Sequence, residues 1–436
     1  MKIQDLAKKS ICILGYGREG KAMVKALEEF APTCEITIAD QNEQLEIAET
    51  KHWKQTGTSW LENLEKFDVL IKSPGIPFNA QLEARSSKLT SSTQIFLDSI
   101  EGSGALVIGI TGSKGKSTTA SLLHAILQEA GKHSVLVGNI GEPAIAHIAD
   151  AKPGTLFVME MSSYQLADLT KSPHIAVVTS FFPEHLDYHK NEEHYMEAKK
   201  NIARYQQEDD TIFFAANSPK ASAIAQEGKG RTIPFDLDAC PIPIEETHLI
   251  GNHNVSNIAA AATVARTLGI GQSTIVKAIK AFHGLPHRLE SLGIMKGIEW
   301  IDDSISTTPQ STMAALDALG NRVHTLLLGG QDRGYDFTPL AERLMGSAVQ
   351  TAILFPGSGP RIRAAIEKTQ SAITLLDAGS MQEAVALAKE HTQSLEARSS
   401  KLEAPMVLLS PASPSYGMFK NFEERGEAFR RCATAL

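Results

Sequence analysis

The chain of 436 residues contains no apolar run near the roughly 18 residues that a membrane helix needs, and Lys2, Lys8 and Lys9 are followed only by the short run Ile11 to Leu14. That run is too short for a signal-peptide core, so neither a membrane span nor secretion is expected. Cysteine is scarce. Cys12, Cys34, Cys240 and Cys432 form no CxxC pair, and no histidine cluster has metal-ligand spacing, which excludes a disulfide scaffold and fits a reducing cytosol. Positive charge is not in excess either. The formal net charge of -8 gives no general attraction to DNA, RNA or an anionic membrane surface, so an anionic ligand requires a local site. The expectation is a cytoplasmic protein without a nucleic-acid partner.

Hydrophobic residues at 42% and charged residues at 21% are the balance of a chain folded throughout, and the length suits about three domains. Ile11 to Leu14, Glu35 to Ala39 and Asp68 to Lys72 read as strands, with a helix from Arg18 to Phe30. That is a βαβ pattern. A loose stretch, Glu101-Gly102-Ser103-Gly104, sets the first boundary. Strands are expected next at Ala105 to Ile110, Leu156 to Met161 and Ile175 to Thr179. A second break is placed at Gly284-Leu285-Pro286, with strands beyond it at Val323 to Leu328, Thr351 to Leu354 and Met406 to Leu409. The expected fold is α/β in three domains: a Rossmann-like domain over 1–102, a central phosphate-loop ATPase-type domain over 103–286 and a Rossmann-like C-terminal domain over 287–436. One octapeptide, LEARSSKL, occurs twice, at Leu82 to Leu89 and Leu395 to Leu402. Its composition suits a surface helix, and it is given no function.

The strongest local signal is Thr111-Gly112-Ser113-Lys114-Gly115-Lys116-Ser117-Thr118, between a strand and a helix carrying Leu122, Leu123, Ile126 and Leu127. Such a loop lets backbone N–H groups at a helix start meet a phosphate, with Lys116 as the cation and the Ser117 hydroxyl as a Mg²⁺ ligand. The usual Walker glycine five residues before Gly115 is Ile110 here, so the loop is a variant. A plain glycine turn, a kinase and a GTPase all remain open on this motif alone.

Gly15-Tyr16-Gly17-Arg18-Glu19-Gly20, with Asp40 at the end of the next strand, satisfies the dinucleotide fingerprint. It suits an NAD-dependent oxidoreductase, or any enzyme holding another nucleotide diphosphate, because backbone N–H groups do not recognise nicotinamide. Ser73-Pro74-Gly75-Ile76-Pro77 could wall the same site or be a simple Pro-Gly turn. Glu160 and His185 fall at strand ends, where a metal could be held, or where the glutamate is simply salt-bridged and the histidine structural. Lys199 lies in a helix, where a lysine is ordinarily solvated. Asn254 and Asn257 share a face at the start of an alanine-rich helix, where they could bind a base or cap the helix.

The order of TGSKGKST, GNIGEPA, EMSSYQL, EHLDYH, YMEAK, GNHNVSN, GLPHRLE and SPASPSYGMFKNFEERG resembles the Mur ligase family, and within it the ligases that add glutamate to UDP-N-acetylmuramoyl-alanine. The resemblance covers nearly the whole chain. It implies a two-step reaction in which the alanine carboxylate takes the ATP γ-phosphate and the glutamate amine then displaces phosphate from the acyl phosphate. It implies that Gly112, Ser113, Lys114, Gly115, Lys116, Ser117, Thr118, Asn254, Asn257, Arg288 and Asp303 bind ATP. Ser117, Glu160, His185 and a carbamylated Lys199 would serve two Mg²⁺ ions, with Lys116, Glu160, His185 and Lys199 catalytic. Gly15, Tyr16, Gly17, Asp40, Ser73, Pro74, Gly75 and Asn139 would hold the UDP substrate, and Thr307, Arg333, Ser415 and Phe422 the glutamate. A monomer is expected.

Departures from the family pattern gather on the acceptor side. Ile305 stands where a lysine is usual in D-glutamate ligases, Arg333 replaces another lysine, and Pro414 and Tyr416 also differ. An arginine grips a carboxylate at two points, so that exchange is not neutral. On the ATP side Glu184 replaces an aspartate and keeps the charge. D-glutamate is the expected acceptor, with an L-glutamate-adding variant as the alternative. A folylpolyglutamate synthase would lack the fingerprint of residues 1–102, and a non-catalytic binding protein would not be expected to keep Lys116, Glu160, His185 and Lys199 together.

Overall fold

The structure is a computed structural model that describes residues 1–45, 51–77, 79–182, 184, 188–396 and 404–435. The chain divides into two compact units, 1–243 with 253–279, and 244–252 with 280–436. Three β-sheets run through them. The first unit holds β1 (Ser10–Leu14), β2 (Glu35–Asp40), β3 (Trp53–Thr56), β4 (Val69–Lys72) and β5 (Leu89–Thr90), in the order β3-β2-β1-β4-β5. It also holds β6 (Leu106–Thr111), β7 (Ser134–Gly138), β8 (Leu156–Glu160), β9 (Ile175–Val178), β10 (Thr211–Ala215) and β11 (Arg231–Phe235), in the order β11-β10-β9-β6-β8-β7. The second unit carries β12 (Glu290–Met295), β13 (Ile298–Asp302), β14 (Val323–Gly330), β15 (Thr351–Gly357), β16 (Thr374–Asp377) and β17 (Met406–Leu409), in the order β12-β13-β17-β14-β15-β16. The strands pair in parallel throughout, apart from the antiparallel pair of β12 and β13.

Parallel strands need crossovers that cover both faces, so their sequences read as continuous apolar runs. In β1, Ile11 and Ile13 enter one core while Cys12 and Leu14 enter another on the opposite face. Burial pushes the Cys12 thiol up to about 12, which keeps it an inert packing group. All four cysteines are free thiols.

The expected strands and the Arg18–Phe30 helix are present, with ends differing by at most three residues. The interior strand β10 and the edge strands β3, β5, β7, β11 and β16 are additions, as is the β12–β13 hairpin. The first LEARSSKL copy is not a surface helix. Helix Ala80–Glu83 ends there, a 3-10 turn follows at Ser86–Lys88, and Leu89 enters β5. Leu82 is fully buried, and Lys88 Nζ donates to the carbonyls of Glu65 and Phe67, contacts that a continuing helix would not make. The second copy lies mostly outside the described residues. Among the described residues no helix is long and apolar enough to cross a membrane.

Candidate functional site

Each sheet collects polar groups at the carboxyl ends of its strands, where open α/β sheets bind ligands at the point of strand-order reversal. In the second sheet that point lies at β6, between β8 and β9. Gly115 caps the helix Lys116–Glu129 in the left-handed region, at φ 87°. A Cβ there would lie 2.2 Å from Asn257 Oδ1, so only glycine lets the loop lie against the helix His253–Thr267. Asn257 Nδ2 in turn donates to Asn254 Oδ1 at 2.9 Å, which fixes both amides. The alanine run Ala259 to Ala262, wholly buried, lets this helix pack closely in the core.

The loop is held from β9. Thr179 Oγ1 and Ser180 Oγ both donate to the Lys114 carbonyl, and Ser180 Oγ accepts from Lys114 N–H. Ser113 Oγ donates to the Phe182 carbonyl and lies 3.1 Å from the Tyr195 hydroxyl. Lys116 Nζ curls back onto the carbonyls of Gly112 and Ser113 at 2.9 and 2.8 Å. Lys114 Nζ meets Glu184 Oε1 at 2.6 Å. Beside the loop opens a cavity of about 620 Å³, lined among others by Lys114, Gly115, Ser180, Phe182, His253 and Asn257.

Two buried charges face this loop. Glu160, at the end of β8, is 1% exposed. Its Oε1 accepts from Asn139 Nδ2 at 2.9 Å, and Oε2 has no hydrogen-bond partner among the described residues. An orphaned carboxylate oxygen costs free energy unless something electropositive completes it. Lys199, in helix Glu192–Lys200, is also 1% exposed. Its Nζ donates to the Gly112 carbonyl at 2.9 Å and to Thr111 Oγ1 at 3.2 Å. Burial, and next the positive charge of Lys116, hold its pKa well below the usual lysine value. The sequence reading of an ordinary solvated helix lysine therefore fails, because the helix turns this face inward. His185 lies outside the described residues.

At the first sheet, the reversal point falls between β1 and β4, bringing Gly15 beside Ser73. Ser73 Oγ donates to the Gly15 carbonyl at 2.9 Å, and Asp40 Oδ2 accepts from Tyr16 N–H at 2.8 Å. Gly20 must lack a side chain, since a Cβ would lie 2.1 Å from the Gly15 carbonyl oxygen. Arg18, which the sequence reading passed over, donates to the carbonyls of Gly138 and Gly141 at 3.2 and 2.7 Å. It thus ties the turn carrying Asn139 to the Arg18–Phe30 helix. Gly17, Pro74 and Gly75 lie on the same rim, Gly17 and Gly75 exposed.

In the second unit, Asp303 follows β13 and is 2% exposed. Desolvation raises its pKa to about 6, against the opposing hydrogen bonds of Ser306 and Ser410 and the charge of Arg288. Arg425 is buried and donates to Ser304 Oγ, the Ser304 carbonyl and the Ser413 carbonyl. Burial lowers its pKa to about 10. Ser304 Oγ donates to the Phe422 carbonyl, so Arg425 organises the segment of Phe422 and Ser415; the ERG of its motif was the available signal. Arg333 is exposed, with its guanidinium 5.9 Å from the Tyr416 ring centre. Thr307 and Ile305 are half-buried on the segment after Asp303.

These features define an α/β protein with a phosphate-binding loop and a buried carboxylate and lysine set against it. The Mur ligase middle domain matches residues 110–239. The chain is 35% identical to a UDP-N-acetylmuramoyl-L-alanine–L-glutamate ligase of Salinispora tropica, covering 98% of each. It is 32% identical to a UDP-N-acetylmuramoylalanine–D-glutamate ligase of Symbiobacterium thermophilum, covering 100% of this chain and 99% of the other. The MurF ligase from Thermotoga maritima in complex with ADP has the same fold, with a TM-score of 0.59 at 15% identity over 100% of this chain and 97% of the other. The chain belongs to the Mur ligase family, among its UDP-N-acetylmuramoyl-alanine–glutamate ligases.

Proposed function

We propose that this chain joins glutamate to UDP-N-acetylmuramoyl-L-alanine at the expense of ATP, in the synthesis of peptidoglycan precursors. The observation that carries the reading is the convergence of the phosphate loop, the half-satisfied Glu160 and the buried Lys199 at the ends of neighbouring strands. The names of its relatives, and the ADP in the Thermotoga structure, support the same substrate classes. In this reading the chain has three domains, 1–102, 103–286 and 287–436, and works as a cytoplasmic monomer.

The substrate's alanine carboxylate attacks the ATP γ-phosphorus, the bond to the β-γ bridging oxygen breaks, and ADP leaves. The glutamate amine then attacks the carbonyl carbon of the acyl phosphate. A proton leaves the nitrogen, the carbon–oxygen bond to phosphate breaks, and an amide remains. Backbone N–H groups from Gly112 to Thr118 cradle the ATP phosphates, and Lys116 exchanges its carbonyl partners for them. Asn257 borders the cavity beside the loop, with Asn254 bonded to it, and Asn254, Asn257, Arg288 and Asp303 are assigned to ATP. Gly15, Tyr16, Gly17, Asp40, Ser73, Pro74, Gly75 and Asn139 take the UDP-bearing substrate, and Thr307, Arg333, Ser415 and Phe422 the acceptor.

The donor set fits Mg²⁺: Ser117 offers a hydroxyl, Glu160 an oxygen with no partner among the described residues, and His185 and a carbamylated Lys199 would complete a second site. When bound, Mg²⁺ would neutralise charge on the transferring phosphoryl oxygens. Lys199 suits carbamylation because burial shifts its pKa downward and so favours the neutral amine; nitrogen attacks CO₂ and releases a proton.

The D-glutamate reading follows the common enzyme of this group. L-glutamate is favoured by Arg333 set over Tyr416, since a guanidinium presents a carboxylate-binding fork at another angle than an ammonium. Phosphate release with ATP, UDP-N-acetylmuramoyl-L-alanine and each enantiomer tests both. Turnover is expected with one of them, faster turnover with L-glutamate overturns the D assignment, and none with either overturns the ligase reading.

A further inference from the structure

Lys72 ends β4 and is 1% exposed, yet nothing in the reaction uses it. Its Nζ meets Asp168 Oδ2 at 2.8 Å, and that carboxylate is itself only 8% exposed. Asp168 follows the short helix Ser163–Leu166, so the pair bridges the first sheet of this unit to the connection between β8 and β9 of the second. Desolvation raises the Asp168 pKa even against the Lys72 charge. Burial of both charges thus offsets much of their attraction, which makes net stability a poor reason for the pair.

What the pair does fix is a turn. Lys72 Nζ also donates to the Ile76 carbonyl at 2.9 Å. The Tyr188 hydroxyl reaches the carbonyls of Pro74 and Ile76 at 3.0 and 3.3 Å. Tyr188 itself packs against Tyr164, with ring centres 4.2 Å apart and the planes tilted by 47°, and meets His189 edge-on at 4.9 Å. His189 is fully buried and bonded through Nε2 to Ser163 Oγ. Two carbonyls of the turn are therefore gripped from one side, while on the other Ser73 Oγ holds the Gly15 loop.

We propose that Lys72, Asp168 and Tyr188 form a clamp that positions the Ser73–Ile76 turn, and through Ser73 the Gly15 loop, for the nucleotide end of the UDP-bearing substrate. They are positioning residues, and the inference rests on the reading of that rim as the UDP site. A turn displaced by a fraction of an ångström presents its groups poorly to a diphosphate. The cost falls on binding of this one substrate, because the ATP loop is held by separate bonds from Thr179 and Ser180.

The test uses the full chain. Calorimetry with UDP gives a Kd, and phosphate-release kinetics give kcat and separate KM values for UDP-N-acetylmuramoyl-L-alanine and ATP. Lys72→Met and Asp168→Asn are each expected to raise the UDP Kd and the KM of the UDP-bearing substrate by about tenfold, with kcat and the KM for ATP within about twofold of wild type. Tyr188→Phe should move them the same way by less. The double variant Lys72→Met/Asp168→Leu removes both buried charges and should recover the Tm lost in the single variants while keeping the raised KM. Wild-type Kd and KM in the double variant overturn the clamp, as does a uniform fall in all parameters that follows Tm. A wild-type chain that fails to bind UDP overturns the underlying reading instead.

Discussion

Lys199 carries the sharpest difference between what a residue looks like and what it is. In YMEAKK it reads as one of two solvated cations, yet its ammonium position is dry and faces Lys116. Burial disfavours the charged form, so the neutral amine is present at pH values where an exposed lysine would be almost wholly protonated. Carbamate formation needs that neutral amine, so lowering the pH should reverse it. Turnover is expected to fall several-fold in bicarbonate-depleted buffer and return on adding bicarbonate. Lys199→Arg should lose on the order of 100-fold and ignore bicarbonate. A wild-type rate indifferent to bicarbonate in rigorously depleted buffer argues against carbamylation. Glu160 makes the complementary case, since its place at a strand end was legible and the lack of a partner for its Oε2 among the described residues was not.

At the scale of elements, the phosphate loop works because three of them meet: β6 feeds it, Thr179 and Ser180 after β9 grip it, and Asn257 lies against Gly115. Gly115→Ala puts a side chain into a left-handed conformation, at about 1–2 kcal/mol, and drives its Cβ into Asn257 Oδ1. Affinity for a non-hydrolysable ATP analogue should fall about tenfold or more, with Tm lowered by only a few degrees, as calorimetry and a thermal melt would show. Unchanged affinity would mean that the helix His253–Thr267 yields easily. The strand and helix of this motif were readable because Gly112 and Gly115 interrupt an apolar strand and begin a helical pattern. The short edge strands were not, since β3 and β5 have four and two residues, too few for a period to emerge.

For the molecule as a whole, the first two sheets share one core. Phe96 and Phe157 meet edge to face with centres 5.1 Å apart, and one buried cluster runs from Ile3 through Ile145 to Ala225. Phe96→Ala should cost about 3–5 kcal/mol in urea unfolding. Because the core is continuous, hydrogen exchange should quicken in β8 as well as in β1. Faster exchange confined to residues 1–102 would show that this segment unfolds on its own.

The sequence by itself determined the local grammar: apolar runs too continuous for anything but buried parallel strands, glycines that turn the chain at their ends, and motif order sufficient to read a ligase. These depend on neighbours within a few residues, where spacing and stereochemistry decide the outcome. Tertiary structure alone decided which charges lost their water. Lys72 and Asp168 lie 96 positions apart and Lys199 is 87 positions from the Gly112 carbonyl it touches, and no local pattern distinguishes a lysine that meets solvent from one that meets a buried carboxylate or carbonyl. Desolvation depends on what packs over a group, and that is settled only when distant segments close around it.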